Sequence, residues 1–167
     1  MPIRTGMGDE GYTYLSGDRR VIKSSPVIEA LGALDELLSV IDLVMFGPGK
    51  KKEKETLLRV QDDLFYISSV LAGDPGEGRS PDMLGWIFDE VEKRESASIS
   101  IRTINGYVKS CGRKSAELNF VRTVVRRCER RMVALNCTGE PLDPGVLGYI
   151  NALSDLLFLM VVEQQGV

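Results

Sequence analysis

Apolar residues recur along this 167-residue chain at three- and four-residue spacing in five separate stretches, the pattern of helices that bury one face. Ser25-Pro26 reads as a cap with proline at the first helical position. The period then runs from Val27 to Met45 until Gly47-Pro48-Gly49 stops it. Lys50 to Glu55 reads as a solvated connector, and a second helix is predicted from about Glu53 to Ala72. Ser80-Pro81 opens a third, acidic helix to about Arg94, with Trp86, Ile87 and Val91 facing inward. Residues 96 to 112 lose the period and read as a structured loop. A fourth helix covers about Arg113 to Asn136, and Asp143-Pro144 starts a fifth from about Gly145 to Glu163. Apolar residues go nearly all the way round that last helix, which predicts burial on several sides. Asn151 and Asp155 share one of its faces and would need partners there, because a buried unpaired polar group costs on the order of 1–3 kcal/mol. Either the neighbouring helix or a ligand can supply them. With no strand and no repeat standing out, the expectation is an all-α five-helix bundle in a single domain, 1–167. Residues 1–24 form a glycine-rich N-terminal loop and residues 25–164 the bundle.

Composition narrows the chemistry. There is no histidine, so Ser-His-Asp triads and histidine acid-base catalysis are excluded, and zinc sites lose their usual ligand. The three cysteines, Cys111, Cys128 and Cys137, form no C-x-x-C pair. With a net charge of −3 and a pI near 5.1, the chain lacks the broad basic field of a nucleic-acid surface. The longest uninterrupted apolar run is Leu156 to Val162. No segment is therefore expected to span a membrane or direct secretion, and a reducing cytoplasm is expected.

Positive charge is nonetheless concentrated. Residues 122 to 131 read Arg-Thr-Val-Val-Arg-Arg-Cys-Glu-Arg-Arg, five arginines with one glutamate. On a helix Arg122, Arg126, Glu129 and Arg130 fall within about one quadrant, beside a core stripe from Leu118 to Leu135. Guanidinium groups bind oxygens bidentately, so this stripe is suited to a polyanion such as a triphosphate. Glu129 could orient Arg126 or help hold magnesium. A solvated charged face is the plainer reading.

Near the N-terminus, Gly6-Met7-Gly8-Asp9-Glu10-Gly11 matches G-x-G-x-x-G, but no strand precedes it and no helix follows, so the dinucleotide and kinase readings fail. A glycine-rich loop can still turn backbone N–H groups toward a phosphate, with the Thr5 and Thr13 hydroxyls as further donors. Gly49-Lys50-Lys51-Lys52 lacks the spacing of a phosphate loop.

Three blocks in order resemble the trimeric, propanediol-utilisation type ATP:cob(I)alamin adenosyltransferases. They are Arg4-Thr5-Gly6 through Thr13 with Arg20 to Leu37; Gln61-Asp62-Asp63-Leu64-Phe65; and Arg122 to Arg131 with Tyr149 to Phe158. The resemblance implies a ferritin-like five-helix bundle assembled as a homotrimer with active sites between subunits. Its reaction would transfer the 5′-deoxyadenosyl group of ATP to Co(I) of cob(I)alamin, releasing triphosphate. It implies that Thr5, Gly6, Gly8, Asp9, Gly11, Thr13 and Lys23 wrap the triphosphate. Arg126, Glu129 and Asn151 would hold ATP, with Arg126 and Glu129 catalytic. Mg2+ would be carried by ATP rather than by a protein site, with Glu129 as the protein group beside it. Asp35 and Arg122 match a pair that bridges subunits beside the corrin, and Tyr107 matches an aromatic that displaces the lower ligand of cobalamin. A cobalamin reductase and an adenosylcobalamin-dependent enzyme are the implied partners, with neither nucleic acid nor membrane.

The chain also departs from the pattern. Met7-Gly8 lengthens the phosphate loop, Ser110-Cys111-Gly112 replaces P-G-G before the arginine helix, and Asn119 stands where histidine is common. Leu31 and Leu38 replace a frequent tyrosine and asparagine. These changes make a carrier or regulator that binds ATP or cobalamin without turnover the alternative function.

Overall fold

A computed structural model describes residues 4, 6, 8–74, 82–97, 108–139 and 142–165. Five helices dominate: α1 (Pro26–Met45), α2 (Lys51–Leu71), α3 (Met83–Ala97), α4 (Arg113–Asn136) and α5 (Pro144–Glu163). The most extensive packing joins α4 to α5 and α1 to α4, followed by α3 to α5 and α1 to α2. Around the bundle the order is therefore α2, α1, α4, α5, α3. Arg94 of α3 closes the ring by reaching Thr56 of α2 at 3.1 Å.

Helix limits follow local chemistry. Pro26 stands in the first turn of α1, but the Ser25 hydroxyl makes no capping bond, so proline geometry rather than a cap starts this helix. At α5 the expected cap forms, with the Asp143 carboxylate accepting from the Gly145 amide at 2.7 Å. Two boundaries differ from expectation. Helix α2 begins at Lys51, and Glu53, assigned by sequence to a solvated connector, is 5% exposed and accepts from Gln164 Nε2 at 2.9 Å. Helix α3 runs to Ala97, three residues past Arg94. The expected Ser80-Pro81 start and most of the 96–112 loop lie outside the described residues.

The N-terminal segment departs most from the all-helical expectation. Strands β1 (Tyr12–Leu15) and β2 (Arg19–Ile22) form an antiparallel hairpin with Tyr12 opposite Ile22. Both are short runs rich in aromatic and β-branched residues around Ser16-Gly17-Asp18, a hairpin signal that a search for long periods overlooks. The Ser16 amide donates to the Ala72 carbonyl at 2.9 Å, tying the hairpin to the end of α2.

The core behaves as the periodicity predicts. Leu118, Val121, Val124, Val125, Cys128, Met132 and Leu135 of α4 are all buried, and α5 buries twelve residues. By length and composition α5 could cross a membrane, contrary to the expectation that no segment would, but 67% of its apolar window is buried inside the bundle. Each fully buried leucine contributes about 1.5–3 kcal/mol.

Burial also controls titration. The Cys128 thiol is pushed up to about 12, first by burial and then by nearby Glu36. The Tyr149 phenol is raised as well, by burial first and Asp63 second. Above pH 9 the unfolded chain releases the Cys128 proton while the folded chain keeps it, so stability present below pH 9 is lost as pH rises toward 12. Denaturation from pH 8 to 11 should show this decline, and Cys128→Ala should flatten it. A parallel decline in the variant would mean that the thiol is not responsible.

Candidate functional site

The glycine-rich loop is held by its own backbone and by Lys23. The Asp9 amide donates to the Gly6 carbonyl at 3.2 Å, and the Gly11 amide to the Gly8 carbonyl at 3.3 Å. Lys23 Nζ donates to the Gly8 carbonyl at 2.7 Å. A Cβ on residue 8 would sit 2.8 Å from that nitrogen, so a side chain there would displace the ammonium group. Gly11 adopts φ +82°, which glycine tolerates without strain, and its carbonyl accepts from the Lys23 amide at 2.9 Å. Thr13 lies in β1 opposite Val21. Thr5 lies outside the described residues.

The arginines of α4 separate onto two flanks. Toward α1, Arg127 pairs with Glu36, and Arg131 pairs with Glu29 at 3.4 Å. Together with Lys23, Ile28, Gly32 and Ala33 they line an open groove of about 230 Å³. Sequence reasoning missed this groove, because each of its ion pairs joins residues far apart in the chain. The other three arginines are arranged differently. Arg122 Nε donates to Asn119 Oδ1 at 3.0 Å, and among the described residues Arg126 and Arg130 make no ion pair within 4.0 Å. Guanidinium groups without a bound carboxylate remain available to an incoming anion.

Asp155 of α5 faces this second flank. Its carboxyl is raised above the usual carboxylate range by burial first, then by Glu95 of α3, with Glu129 adding to the rise and Arg126 opposing it. Arg126, Glu129 and Asp155 are therefore neighbours, with Glu95 at the edge. Asn151 lies one turn before Asp155, and both are exposed, which corrects the expectation that they are buried within the bundle. The apolar residues of α5 do not close its circumference, and these two polar residues occupy the open strip.

The predicted residues thus occupy separate surfaces of one chain. Gly6, Gly8, Asp9 and Gly11 precede the hairpin, Thr13 lies in β1, and Lys23, just after β2, reaches the α1 groove beside Arg127 and Arg131. Arg126, Glu129 and Asn151 stand on the α5 flank. Asp35 is exposed on α1, and among the described residues no ion pair within the chain joins it to Arg122. Tyr107 lies outside the described residues. Among the described residues no group of three or more acidic or cysteine side chains is placed to hold a metal. The carboxylate of Glu129 suits the edge of a metal bound to phosphates rather than a cage for a bare ion.

Similarity to known proteins gives the family. The cobalamin adenosyltransferase family profile matches residues 3–163. The corrinoid adenosyltransferase PduO of Salmonella typhimurium is 34% identical over 166 residues, covering 96% of this chain and 48% of that protein. The chain thus spans about half the length of the PduO proteins it matches. The cobalamin adenosyltransferase of Cupriavidus metallidurans is 34% identical, covering 95% of this chain and 85% of that protein. A variant PduO-type ATP:corrinoid adenosyltransferase from Lactobacillus reuteri, solved with cobalamin and ATP, shares the fold at a TM-score of 0.83 and 24% identity. That alignment covers 96% of this chain and 89% of the solved one. By sequence and by fold, the chain belongs to the cobalamin adenosyltransferase family.

Proposed function

We propose that the protein transfers the 5′-deoxyadenosyl group of ATP to Co(I) of cob(I)alamin, forming adenosylcobalamin and releasing triphosphate. The observation that carries this reading is the division of the α4 arginines. Arg127 and Arg131 are paired with glutamates of α1, whereas Arg126, exposed and without an ion pair among the described residues, interacts with Asp155 of α5, as does Glu129. A cationic flank kept clear in this way is suited to a triphosphate.

Co(I) is itself a strong nucleophile, so the reaction needs no protein base, which is compatible with a chain that lacks histidine. The cobalt electron pair attacks the ribose 5′ carbon, the Co–C bond forms, and the C–O bond breaks with its electrons leaving on triphosphate. The protein's part is to position the reactants and neutralise the leaving group. Arg126 does so from α4, Lys23 and the amides around Gly8 and Gly11 from the hairpin, and Asn151 from α5. Glu129 would be the protein group beside the magnesium that ATP carries.

The separation of the hairpin from the α5 flank supports a homotrimer in which one copy's loop, Lys23 and Asp35 meet the next copy's Arg122, Arg126 and Asn151. By resemblance to the family, Tyr107 is assigned to the lower face of the corrin. The protein works in the cytoplasm, supplied by a cobalamin reductase and feeding an adenosylcobalamin-dependent enzyme.

The test is an anaerobic spectral assay with chemically reduced cobalamin and Mg-ATP. Decay of the Co(I) band into an alkylcobalamin spectrum is expected. ATP binding with an unchanged spectrum would overturn the transfer and favour a carrier or regulator, the reading that Met7-Gly8 and Ser110-Cys111-Gly112 motivate.

A further inference from the structure

The segment that leads into α4 is neither helix nor strand from Val108 to Cys111, and Gly112, the residue before the helix, supplies no side-chain cap. A helix start without a cap leaves the angle of the incoming chain to other contacts. Val108 packs against the core. Beyond it, two hydrogen bonds tie the segment to the residues that follow α5. Gln165 Nε2 donates to the Lys109 carbonyl at 2.8 Å, and the Cys111 thiol donates to the Gln164 carbonyl at 3.0 Å. The bonds run in opposite directions, so each partner both gives and receives and the two strands of chain are clasped.

The platform for this clasp is itself fixed. The amides of Gln164 and Gln165 continue the last turn of α5, donating to the Val161 and Val162 carbonyls at 3.2 and 2.9 Å. Gln164 Nε2 donates to Glu53 of α2 at 2.9 Å, and the adjacent Glu163 accepts from Arg94 of α3 at 2.7 Å. The end of α5 is thus held to α2 and α3 before it takes hold of the entry to α4. Gln164 and Gln165 are half-buried, whereas Cys111 is exposed. A thiol is a weak donor and here competes with water, so Gln165 contributes the larger share. The contact gives Cys111 a use within the Ser110-Cys111-Gly112 departure.

We propose that Gln165 and Cys111 are positioning residues for the corrin half of the reaction, holding Lys109 to Gly112 against the end of α5 in the place that corrin binding requires. The inference rests on the adenosyl-transfer reading and on the assignment of residue 107, which directly precedes this segment, to the corrin. Neither side chain is asked to touch a substrate. Releasing the clasp lowers the fraction of molecules in which the segment is in place, and the apparent affinity for the corrin falls by that fraction. The groups assigned to ATP lie elsewhere, on the N-terminal segment and well inside α4, so nucleotide binding is left unchanged.

The experiment is anaerobic steady-state adenosyl transfer by the 167-residue chain, varying cob(I)alamin at saturating Mg-ATP and then the reverse. Wild type is compared with Gln165→Ala, Cys111→Ala, Cys111→Ser and the double alanine variant, and the melting temperature reports whether each is folded. Gln165→Ala should raise KM for cob(I)alamin by roughly two- to tenfold, the factor that one net hydrogen bond represents, with KM for Mg-ATP unchanged. Cys111→Ala should act in the same direction more weakly, and Cys111→Ser, which keeps a donor, should stay at the wild-type value. An unchanged KM for cob(I)alamin in the double variant would overturn the proposal and leave the transfer reading standing. Equal rises in both KM values would overturn it too, making the clasp a general support of the bundle. If wild type forms no adenosylcobalamin, the transfer reading falls, and spectral titration with cobalamin alone decides the clasp. Equal affinity in wild type and double variant, or binding by neither, overturns it.

Discussion

Replacing Arg126 with alanine is expected to lower kcat/KM for adenosyl transfer by on the order of 10²–10³, the usual loss when one preorganised donor to a developing anion is removed. The fold should be indifferent. Arg126 is exposed and makes no ion pair among the described residues, and substitutions at such positions change stability by about 0.5 kcal/mol or less. For a chain of this length that is about 2 °C in Tm. Loss of folding would make the arginine structural and remove it from the chemistry. The variant also tests the arrangement between copies. Lys23→Ala and Arg126→Ala chains, each inactive alone, should recover activity when co-assembled. With random mixing, roughly a quarter of the sites would combine an intact hairpin with an intact α4 flank. No recovery would mean that both residues serve a site built within one chain.

Replacing Arg94 with alanine is expected to have the largest effect on stability. The side chain is 4% exposed and holds three helices at once. Its Nε donates to Glu90 at 2.8 Å on its own helix, and its two terminal nitrogens reach Glu163 of α5 at 2.7 Å and Thr56 of α2 at 3.1 Å. Removing the cation leaves Glu163 without this partner and Glu90 with only Lys93, at 3.6 Å, and breaking a buried ion pair in this way costs about 3–5 kcal/mol. For 167 residues the loss corresponds to a fall in Tm on the order of 10 °C. Glu163 retains some contact with water, so Glu163→Gln should cost less than Arg94→Ala. A double-mutant cycle between them measures the coupling, and a coupling near zero would mean that Thr56 and Glu90 alone hold Arg94 in place.

These two arginines show how differently a sequence exposes its charges. Arg126 sits in a dense cationic run, and its candidacy is visible without a fold. Arg94 looks like an ordinary charge in the last turn of an acidic helix, because its partners Thr56 and Glu163 are 38 and 69 residues away. Glu53 was misassigned for the same reason: in a row of lysines and glutamates it reads as solvent, and only Gln164, packed in from the far end of the chain, explains its burial. The hairpin was missed for a different reason. Its strands are four residues each, too short to establish a period, and their pairing partner is each other rather than a core.

What the sequence by itself determined is the part that depends on neighbours three and four residues apart: five helices, their approximate ends, the buried stripe of α4 and the apolar circumference of α5. Helical periodicity is local, so it can be read at about 100° per residue without knowing what lies opposite. Which helix lies opposite was decided only by the tertiary structure. Packing α4 between α1 and α5 gives Arg127 and Arg131 to the glutamates of α1. The same packing leaves Arg126 on the α5 side, within electrostatic reach of Asp155. Adjacent residues 126 and 127 differ by one step around the helix, and that step separates a paired arginine from an available one.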